Sequence, residues 1–157
     1  MILFSVFVFV TSFVGSHWLP TKDEAVDIVV NEVESRKSKV FYDLGSGDAR
    51  LVLKVARKTR ASATGIEIEP LKWLLSMIRI KLGGTRNARV LRQNFFKADL
   101  SGADIIYCYL PTSTMRKLEP KIRKLKKGTI VIAHCIKFPT LKPIKENSRL
   151  RLYVYKI

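Results

Sequence analysis

The chain has 157 residues, of which 47% are hydrophobic and 27% charged, a composition that excludes a disordered tail and suits one folded domain. Its 29 Lys and Arg against 13 Asp and Glu give a formal net charge of +16, which favours an anionic partner: nucleic acid, an anionic membrane face or an acidic protein. The two cysteines, Cys108 and Cys135, exclude a disulfide framework, and no Cys or His cluster has the spacing of a metal site.

The first fifteen residues, MILFSVFVFVTSFVG, are almost purely apolar, and no charge precedes Lys22. With Trp18 as an interfacial aromatic, residues 1–19 approach the roughly 20 apolar residues that span a bilayer. We therefore expect residues 1–19 to form a membrane anchor and residues 20–157 to form the folded domain. The positive charges lie on the C-terminal side, which places this domain on the cytoplasmic or matrix-like side. The alternative is an apolar strand or helix that packs on the domain itself.

Strands and helices alternate through the rest of the chain. Thr21 is a candidate N-cap for a first helix that ends before Lys39. Further helices are expected over 51–58, over 71–82 and from about 115 to 125, the last kinked or broken by Pro120. The predicted strands cover 40–44, 63–68, 88–92, 104–110, 129–135 and a final run over 150–157. This alternation predicts an α/β fold whose sheet is parallel in its core.

One glycine-rich stretch, DLGSGDAR from Asp43 to Arg50, lies between the first predicted strand and the next helix. Backbone N–H groups and a helix N-terminus can receive an anion there. Gly45 permits a tight turn, and Gly47 lets a ligand approach the backbone closely. Glu67 closes the second strand, where a carboxylate can accept hydrogen bonds from both hydroxyls of a ribose. Arg50 does not fit a dinucleotide fingerprint, and the Gly-Lys-Ser/Thr of a P-loop is absent, so the pattern predicts another nucleoside-bearing ligand.

The D-x-G-x-G-x-A spacing, joined to the strand GIEIEP, resembles motif I and the ribose-binding strand of class I (seven-β-strand) S-adenosylmethionine methyltransferases. The resemblance implies a Rossmann-like sheet of seven mostly parallel strands with helices on both faces, and S-adenosylmethionine as cofactor. The upstream L-P-T, the Q-N-F-F segment and the late F-P-T-x-K-P narrow it to the archaeal and mitochondrial protein-lysine methyltransferases, over roughly residues 18–157. The chain departs from that group at Ala49, where the group usually has glycine.

The resemblance also implies roles for individual residues of the glycine-rich stretch. Asp43, Gly45 and Gly47 would surround the methionine part of the cofactor. Asp48 would hold its ammonium group, directly or through water, and Glu67 would bind the ribose. Asp48 has a plain alternative as a carboxylate at a helix N-terminus, where the helix dipole favours negative charge.

Three further positions follow the third and fourth predicted strands. Asn94 and Phe95 match the region that meets the adenine, although Phe95 could equally belong to the core and Asn94 to a turn. Tyr109 is the candidate for shaping a lysine channel, with packing under the next helix as its alternative. The segment Tyr109-Leu110-Pro111-Thr112 lacks the N/D-P-P-Y/F pattern of enzymes that methylate nucleobases and glutamine, which argues against a base N-methylation site.

The implied reaction is an in-line displacement in which a lysine ε-nitrogen takes the sulfonium methyl. A lysine with a pKa of about 10.4 is neutral only about one part in a thousand at pH 7. An apolar channel and the sulfonium charge both disfavour the ammonium form. No dedicated base is evident, so we expect proton loss to water before alignment and an activity that rises with pH.

Two other functions remain open from the sequence. An RNA methyltransferase fits the 25 basic against 6 acidic residues from Ala49 onwards, because basic patches bind phosphates without sequence demand. The basic run from Arg116 to Lys127, expected on one amphipathic helix, could instead be a solvated face or a surface toward anionic lipid. The third class is a non-catalytic partner protein that kept the fold. The intact Gly45, Gly47 and Glu67 argue against it.

Overall fold

The computed structural model describes residues 23–157. The expected anchor, residues 1–19, and the expected N-cap, Thr21, lie outside the described residues. Between Asp23 and Ile157, no helix combines the length and the apolar character needed to cross a membrane.

Four helices and seven strands make up the described part of the chain. The helices are α1 Asp23–Ser35, α2 Arg50–Lys58, α3 Pro70–Leu82 and α4 Thr112–Ile122. The strands are β1 Val40–Leu44, β2 Ser62–Glu67, β3 Ala88–Arg92, β4 Ile105–Cys108, β5 Ile130–His134, β6 Lys145–Asn147 and β7 Leu152–Lys156.

All seven strands belong to one sheet with the order β3-β2-β1-β4-β5-β7-β6. Strands β1 to β5 are mutually parallel, whereas β7 is antiparallel to both β5 and β6. The predicted seven-stranded, mostly parallel Rossmann-like sheet is therefore confirmed. The five parallel strands end at one edge of the sheet, here called the carboxyl edge, and begin at the opposite amino edge. In such sheets ligands bind beyond the carboxyl ends of the strands.

The sheet is covered on both faces, as the resemblance implied. Helices α1 and α2 pack on one face through a cluster of small aliphatic residues that includes Val26, Val29, Val52 and Val55. Helix α4 packs on the other face with Met115, Leu118 and Ile122, all fully buried. Because both faces are covered, β4 and β5 are buried at every position, which is the pattern of a parallel sheet core.

Two expectations for the region around α4, a break at Pro120 and a single helix that carries the whole basic run, are wrong. Pro120 does not break the helix, because it lies within the last turn of α4, which covers Thr112–Ile122 rather than about 115 to 125. The helix ends there, and the N–H group of Arg123 donates to the carbonyl of Glu119 over 3.0 Å. The basic run therefore does not lie on one helix. Its second half, 123–127, belongs to the turn that leads to β5 at the amino edge.

Helix α3 buries a polar residue and exposes several apolar ones. Its one buried residue is Ser76, whose hydroxyl donates to the carbonyl of Gly47 over 2.7 Å. On the opposite side, Leu74, Ile78 and Leu82 expose 44%, 47% and 83% of their surface. The side of α3 that faces the domain thus combines the contact of Ser76 with residue 47 and the apolar contact of Ile80 with the core.

Candidate active site

The glycine-rich stretch forms a loop between β1 and α2 at the carboxyl edge. The N–H groups of Gly45 and Ser46 donate to the carbonyl of Ile66, over 2.8 and 3.2 Å. Gly45 and Gly47 have φ values of 78° and 54°, in the left-handed region that glycine adopts without strain. A Cβ built on Gly45 would also come within 3.2 Å of the Leu110 side chain. The loop geometry thus favours glycine at both predicted positions.

Glu67 ends β2 directly beside this loop. Its Oε2 accepts a hydrogen bond from the N–H group of Gly47 over 2.9 Å, and its Oε1 accepts one from the N–H group of Glu69 over 3.0 Å. The side chain is buried, with the whole residue 8% exposed. Two oxygens offer about four acceptor positions, so the carboxylate keeps capacity for the hydroxyls of a bound ribose.

Gly65 is a contributor that the sequence reasoning missed. A Cβ at this position of β2 would lie 2.5 Å from Oγ of Ser46 and 3.1 Å from Val52. Only a residue without a side chain lets the loop lie against β2. The available signal was a glycine inside a strand, which often marks a close backbone approach.

Asp48 is engaged by two arginines. Its carboxylate pairs with the guanidinium of Arg79 on α3 and, over 3.4 Å, with that of Arg50. Its Oδ1 also accepts the N–H of Arg50 over 3.2 Å, next to the N-terminus of α2. This arrangement gives Asp48 a structural role that ties the loop to α3. The next residue, Ala49, has a left-handed φ of 58°, which accounts for the glycine usual there in the resembling group.

Asp43, at the end region of β1, is 4% exposed and lies beneath the loop. Burial, followed by the negative charges of Glu67 and Asp48, raises the pKa of its carboxyl group to about 8. A buried group in such surroundings favours a cationic neighbour, which would stabilise the ionised carboxylate.

These residues fit S-adenosylmethionine, the cofactor that the resemblance implies. That molecule carries a sulfonium and an ammonium charge, which match the carboxyl groups gathered around the loop. It also carries a ribose diol, which matches the remaining acceptor capacity of Glu67. The glycines leave the loop backbone open to close approach.

Asn94 and Phe95 follow β3 at the same edge. The N–H group of Gln93 donates to the Glu67 carbonyl over 3.2 Å, which places the segment next to the ribose-side carboxylate. The side-chain oxygen of Asn94 accepts the N–H group of Phe96 over 2.9 Å, the geometry of a turn. Phe95 is half-buried and packs on the core, whereas Phe96, 4.7 Å away between ring centroids, is 38% exposed.

Tyr109 follows β4 and lies against an aromatic cluster that the sequence reasoning missed. Its ring stacks on His134 with centroids 4.4 Å apart, and the hydroxyl of Tyr107 lies 2.7 Å from Nδ1 of His134. Burial, followed by a hydrogen bond with Cys135, raises the pKa of Tyr109 to about 12. The cluster stands where β4 and β5 end. The signal was the histidine that closes an otherwise apolar strand, Ile130–His134.

Cys108 is a core residue. It is fully buried, and its thiol lies 3.8 Å from the carbonyl of Ile132. Burial is the largest cause of the raised pKa of this thiol, which makes it a poor nucleophile. Cys135 is half-buried beside Tyr109, and both cysteines are free.

The structure therefore brings together one group of predicted residues and leaves the others beside it. Five of them lie around the loop and are linked by hydrogen bonds and electrostatic interactions: Asp43, Gly45, Gly47, Asp48 and Glu67. The segment with Asn94 and Phe95 adjoins this unit through β3. Tyr109 stands on the other side of β1, at the end of β4.

Comparison with known proteins points to one family. Residues 43–145 match the model of the ANTKMT methyltransferase domain. A protein-lysine N-methyltransferase of Saccharolobus islandicus (strain REY15A) is 33% identical over 121 residues, which cover 74% of each chain. An ATP synthase c-subunit lysine N-methyltransferase of Caenorhabditis elegans is 34% identical over 119 residues, 75% of this chain and 59% of that protein.

A solved structure is similar over nearly the whole chain. The crystal structure of an RNA methyltransferase from Salinibacter ruber in complex with S-adenosyl-L-homocysteine superposes with a TM-score of 0.78 at 31% identity. The alignment covers 88% of this chain and 92% of that one. The demethylated product of S-adenosylmethionine is thus bound by a protein with this fold and related sequence.

Replacing Asp43 with Asn should change the pH dependence of the unfolding free energy. Because the folded-state pKa of about 8 exceeds the ordinary 3.8, the folded protein binds more protons than the unfolded chain between these values. Stability therefore falls as pH rises through this window, by up to about 1.4 kcal/mol per pH unit. Asparagine cannot ionise, so Asp43→Asn should remove this slope in urea unfolding of the ligand-free protein at pH 5, 6, 7 and 8.

Asp104→Asn is the control for this measurement. Burial acts to raise the pKa of Asp104, but hydrogen bonds from Lys126, Lys39 and Val40 together with the charge of Lys126 lower it below its ordinary value. Its stabilising effect is therefore complete above the unfolded pKa and is lost only in acid. That variant should lose stability evenly from pH 5 to 8. An unchanged slope in Asp43→Asn would mean that another group binds the proton.

Proposed function

This chain belongs to the ANTKMT methyltransferase domain family, and we propose that it transfers a methyl group from S-adenosylmethionine to the ε-amine of a protein lysine. The observation that carries the proposal is the loop held on the Glu67 carboxylate above the buried Asp43. It occurs in a chain 33% identical to a protein named for lysine methylation.

The cofactor supplies an activated methyl group, and the chain supplies alignment and a dry environment. Asp43 would face the cationic methionine part, because its ionised form needs a positive neighbour in so buried a place. Glu67 would hold the ribose with the acceptor positions that Gly47 and Glu69 leave free. Asp48, already paired with Arg79, would act mainly by keeping the loop in shape.

The acceptor lysine would enter beside the aromatic cluster of Tyr107, Tyr109 and His134. The sulfonium charge of the cofactor disfavours a second positive charge beside it, so it lowers the pKa of the entering lysine. With its pKa raised to about 12, Tyr109 stays a neutral phenol throughout the working pH range. Its ring then shapes the channel, and the lysine loses its proton to water before alignment.

An anchor over residues 1–19 would place the site near a membrane. Helix α1 starts at the carboxyl edge, because Glu24 pairs over 2.7 Å with Arg149, in the turn between β6 and β7. Leu152, just after that turn, is paired with His134 at the end of β5. Only residues 20–22 separate the expected anchor from α1. We therefore expect membrane association through the N-terminal segment, with the carboxyl edge toward the bilayer and the domain on the cytoplasmic or matrix-like side.

RNA remains the alternative acceptor, because the related Salinibacter ruber structure is described as an RNA methyltransferase. The placement of charge weakens this alternative. The second half of the basic run, 123–127, lies at the amino edge, whereas the glycine loop lies at the carboxyl edge. Phosphates bound to that part of the run would be held away from the methyl group.

Glu67→Gln should weaken the binding of S-adenosyl-L-homocysteine by about tenfold or more, because hydrogen bonds to a charged group are worth about 1.5–3 kcal/mol. Calorimetric titration measures the change. The matched control is Glu69→Gln, since the Glu69 carboxylate caps α3 by accepting the N–H groups of Leu71 and Lys72. Losing part of that cap should lower stability by about 1 kcal/mol and leave affinity in place. Equal affinities of both variants would contradict the ribose assignment.

Incubation of the purified chain with radiolabelled S-adenosylmethionine and a cell lysate should place the label in protein. The label should be released by protease, resist ribonuclease and appear as methyl-lysine after acid hydrolysis. The rate should rise between pH 7 and 9.5 because the neutral fraction of lysine rises. A heat-inactivated sample is the control. The lysine proposal would be contradicted if the label were confined to RNA, or if protein were labelled at a rate that does not change with pH.

Tyr109→Ala should lower kcat/KM for the protein acceptor by about tenfold or more, because the channel loses the ring that stacks on His134. Tyr109→Phe keeps that ring, so its kcat/KM should stay within about threefold of the unmodified chain. Affinity for S-adenosyl-L-homocysteine should be unchanged in both variants. If Tyr109→Phe is as impaired as Tyr109→Ala, the hydroxyl and not the ring is what the reaction uses.

A further inference from the structure

A concentration of positive charge lies at the amino edge, opposite the methyl-transfer site. Four loops lead there from a helix into the next strand: residues 36–39, 59–61, 83–87 and 123–129. Together they contain nine Lys and Arg, and neither an acidic nor an aromatic residue. Cations at helix C-termini are favoured by the helix dipole, which explains some of these positions. Asp104, just before β4, is an acidic residue at the same edge, and the nine cations far outnumber it.

These loops are held side by side by hydrogen bonds. The N–H group of Ser62 donates to the carbonyl of Lys39 over 2.8 Å, and the side chain of Asn87 donates to the carbonyl of Ala61 over 2.8 Å. On the other side, Asp104 accepts the N–H of Lys39 and the ammonium of Lys126, both over 2.8 Å. The basic side chains are thus displayed on one connected surface.

At the centre of this surface is a cavity of about 550 Å³ between the α1–β1 loop and the α4–β5 turn, here called the amino-edge cavity. That volume is within the range of small-molecule sites. Five basic residues line the cavity: Arg36, Lys37, Lys39, Lys126 and Lys127.

Two of the five cations already have acidic partners, and three do not. Arg36 pairs with Glu32 over 2.9 Å, and Lys126 pairs with Asp104 over 2.8 Å. Among the described residues, the ammonium groups of the other three have no carboxylate within 4.0 Å; they belong to Lys37, Lys39 and Lys127. Asp104 also lines the cavity, so five basic residues face one acidic residue there. A concave surface with such an excess of one sign of charge focuses the electrostatic field and attracts an ion of opposite sign.

The backbone conformation at Lys37 is a second feature of the cavity. Lys37 has a φ of 51°, in the left-handed region where glycine is favoured, as its N–H group closes the end of α1 by donating to the carbonyl of Glu34. The chain nevertheless places a lysine there, and that lysine lines the cavity.

From these observations we infer that the amino-edge cavity binds a phosphate group carrying two or more negative charges, as in a polyphosphate or a phosphomonoester. Lysine ammonium groups act as point charges for phosphate oxygens, and an arginine adds paired donors. The lack of aromatic residues in the four loops disfavours single-stranded RNA, whose bases bind by stacking. The site lies on the opposite edge from Glu67, so it is separate from the cofactor site and does not rest on the proposed methyl transfer.

Titration of the full chain with inorganic pyrophosphate tests this inference. We expect saturable one-to-one binding by calorimetry that weakens as salt is raised. The double variant Lys39→Gln/Lys127→Gln should bind at least about tenfold more weakly, because two of the three uncompensated charges are gone. The matched control is Arg116→Gln/Lys117→Gln, which removes two exposed charges outside the cavity and should bind like the unmodified chain.

Competition experiments identify the source of the phosphate. Phosphatidylcholine vesicles with phosphatidic acid that displace pyrophosphate would indicate a lipid headgroup, and failure to displace it would indicate a free phosphate compound; both support the site. Equal weakening in the two double variants would show that only net charge matters and would overturn the inference. So would the absence of pyrophosphate binding, whether or not poly(U) RNA binds.

Discussion

The hydrogen bond between the N–H group of Gly47 and the Glu67 carboxylate is the contact on which the site depends. It joins the loop after β1 to the end of β2 over 2.9 Å, and it forms only because Gly65 leaves space for Ser46 against β2. The same contact places a carboxylate near Asp43, whose pKa rises because it is buried beside other negative groups. One local packing requirement therefore fixes the shape of the loop and also makes it receptive to a cation.

Contacts with that loop help to orient helix α3. Amphipathic patterning would turn its leucines and isoleucines toward the sheet, yet Ile78 and Leu82 are exposed and Ser76 is buried. The reason is polar: the Ser76 hydroxyl satisfies the carbonyl of Gly47, and Arg79 pairs with Asp48. A buried carbonyl without a donor costs about 1–3 kcal/mol, so this hydrogen bond stabilises the observed orientation together with Ile80, which packs on the core. Patterning fails here because the deciding partner lies about thirty residues away in the sequence.

The parts of the molecule that the sequence predicted are those set by local residues. Runs such as 40–44 and 88–92 predict strands directly, and the spacing of Gly45, Gly47 and Glu67 placed the loop and its carboxylate correctly. Strand β6, Lys145–Asn147, has no apolar residue and exists only because β7 pairs with it. The pairing of Tyr107 with His134 spans 27 residues and follows from the register of neighbouring strands, which no local pattern encodes.

Charge is divided between the two edges of the sheet, and this division bears on the choice of acceptor. The carboxyl edge gathers carboxyl groups around the loop, among them Asp43 and Glu67, whereas the helix-to-strand loops at the amino edge carry only basic charges. An acceptor recognised by its phosphates would be drawn to the amino edge, and the strands separate that edge from the methyl donor. An acceptor amine is cationic before it loses its proton, so it is attracted to the edge where the transfer takes place. Arg50 and Arg79 neutralise Asp48 at that edge, so the carboxyl groups of Asp43 and Glu67 are the ones that favour a cationic acceptor there.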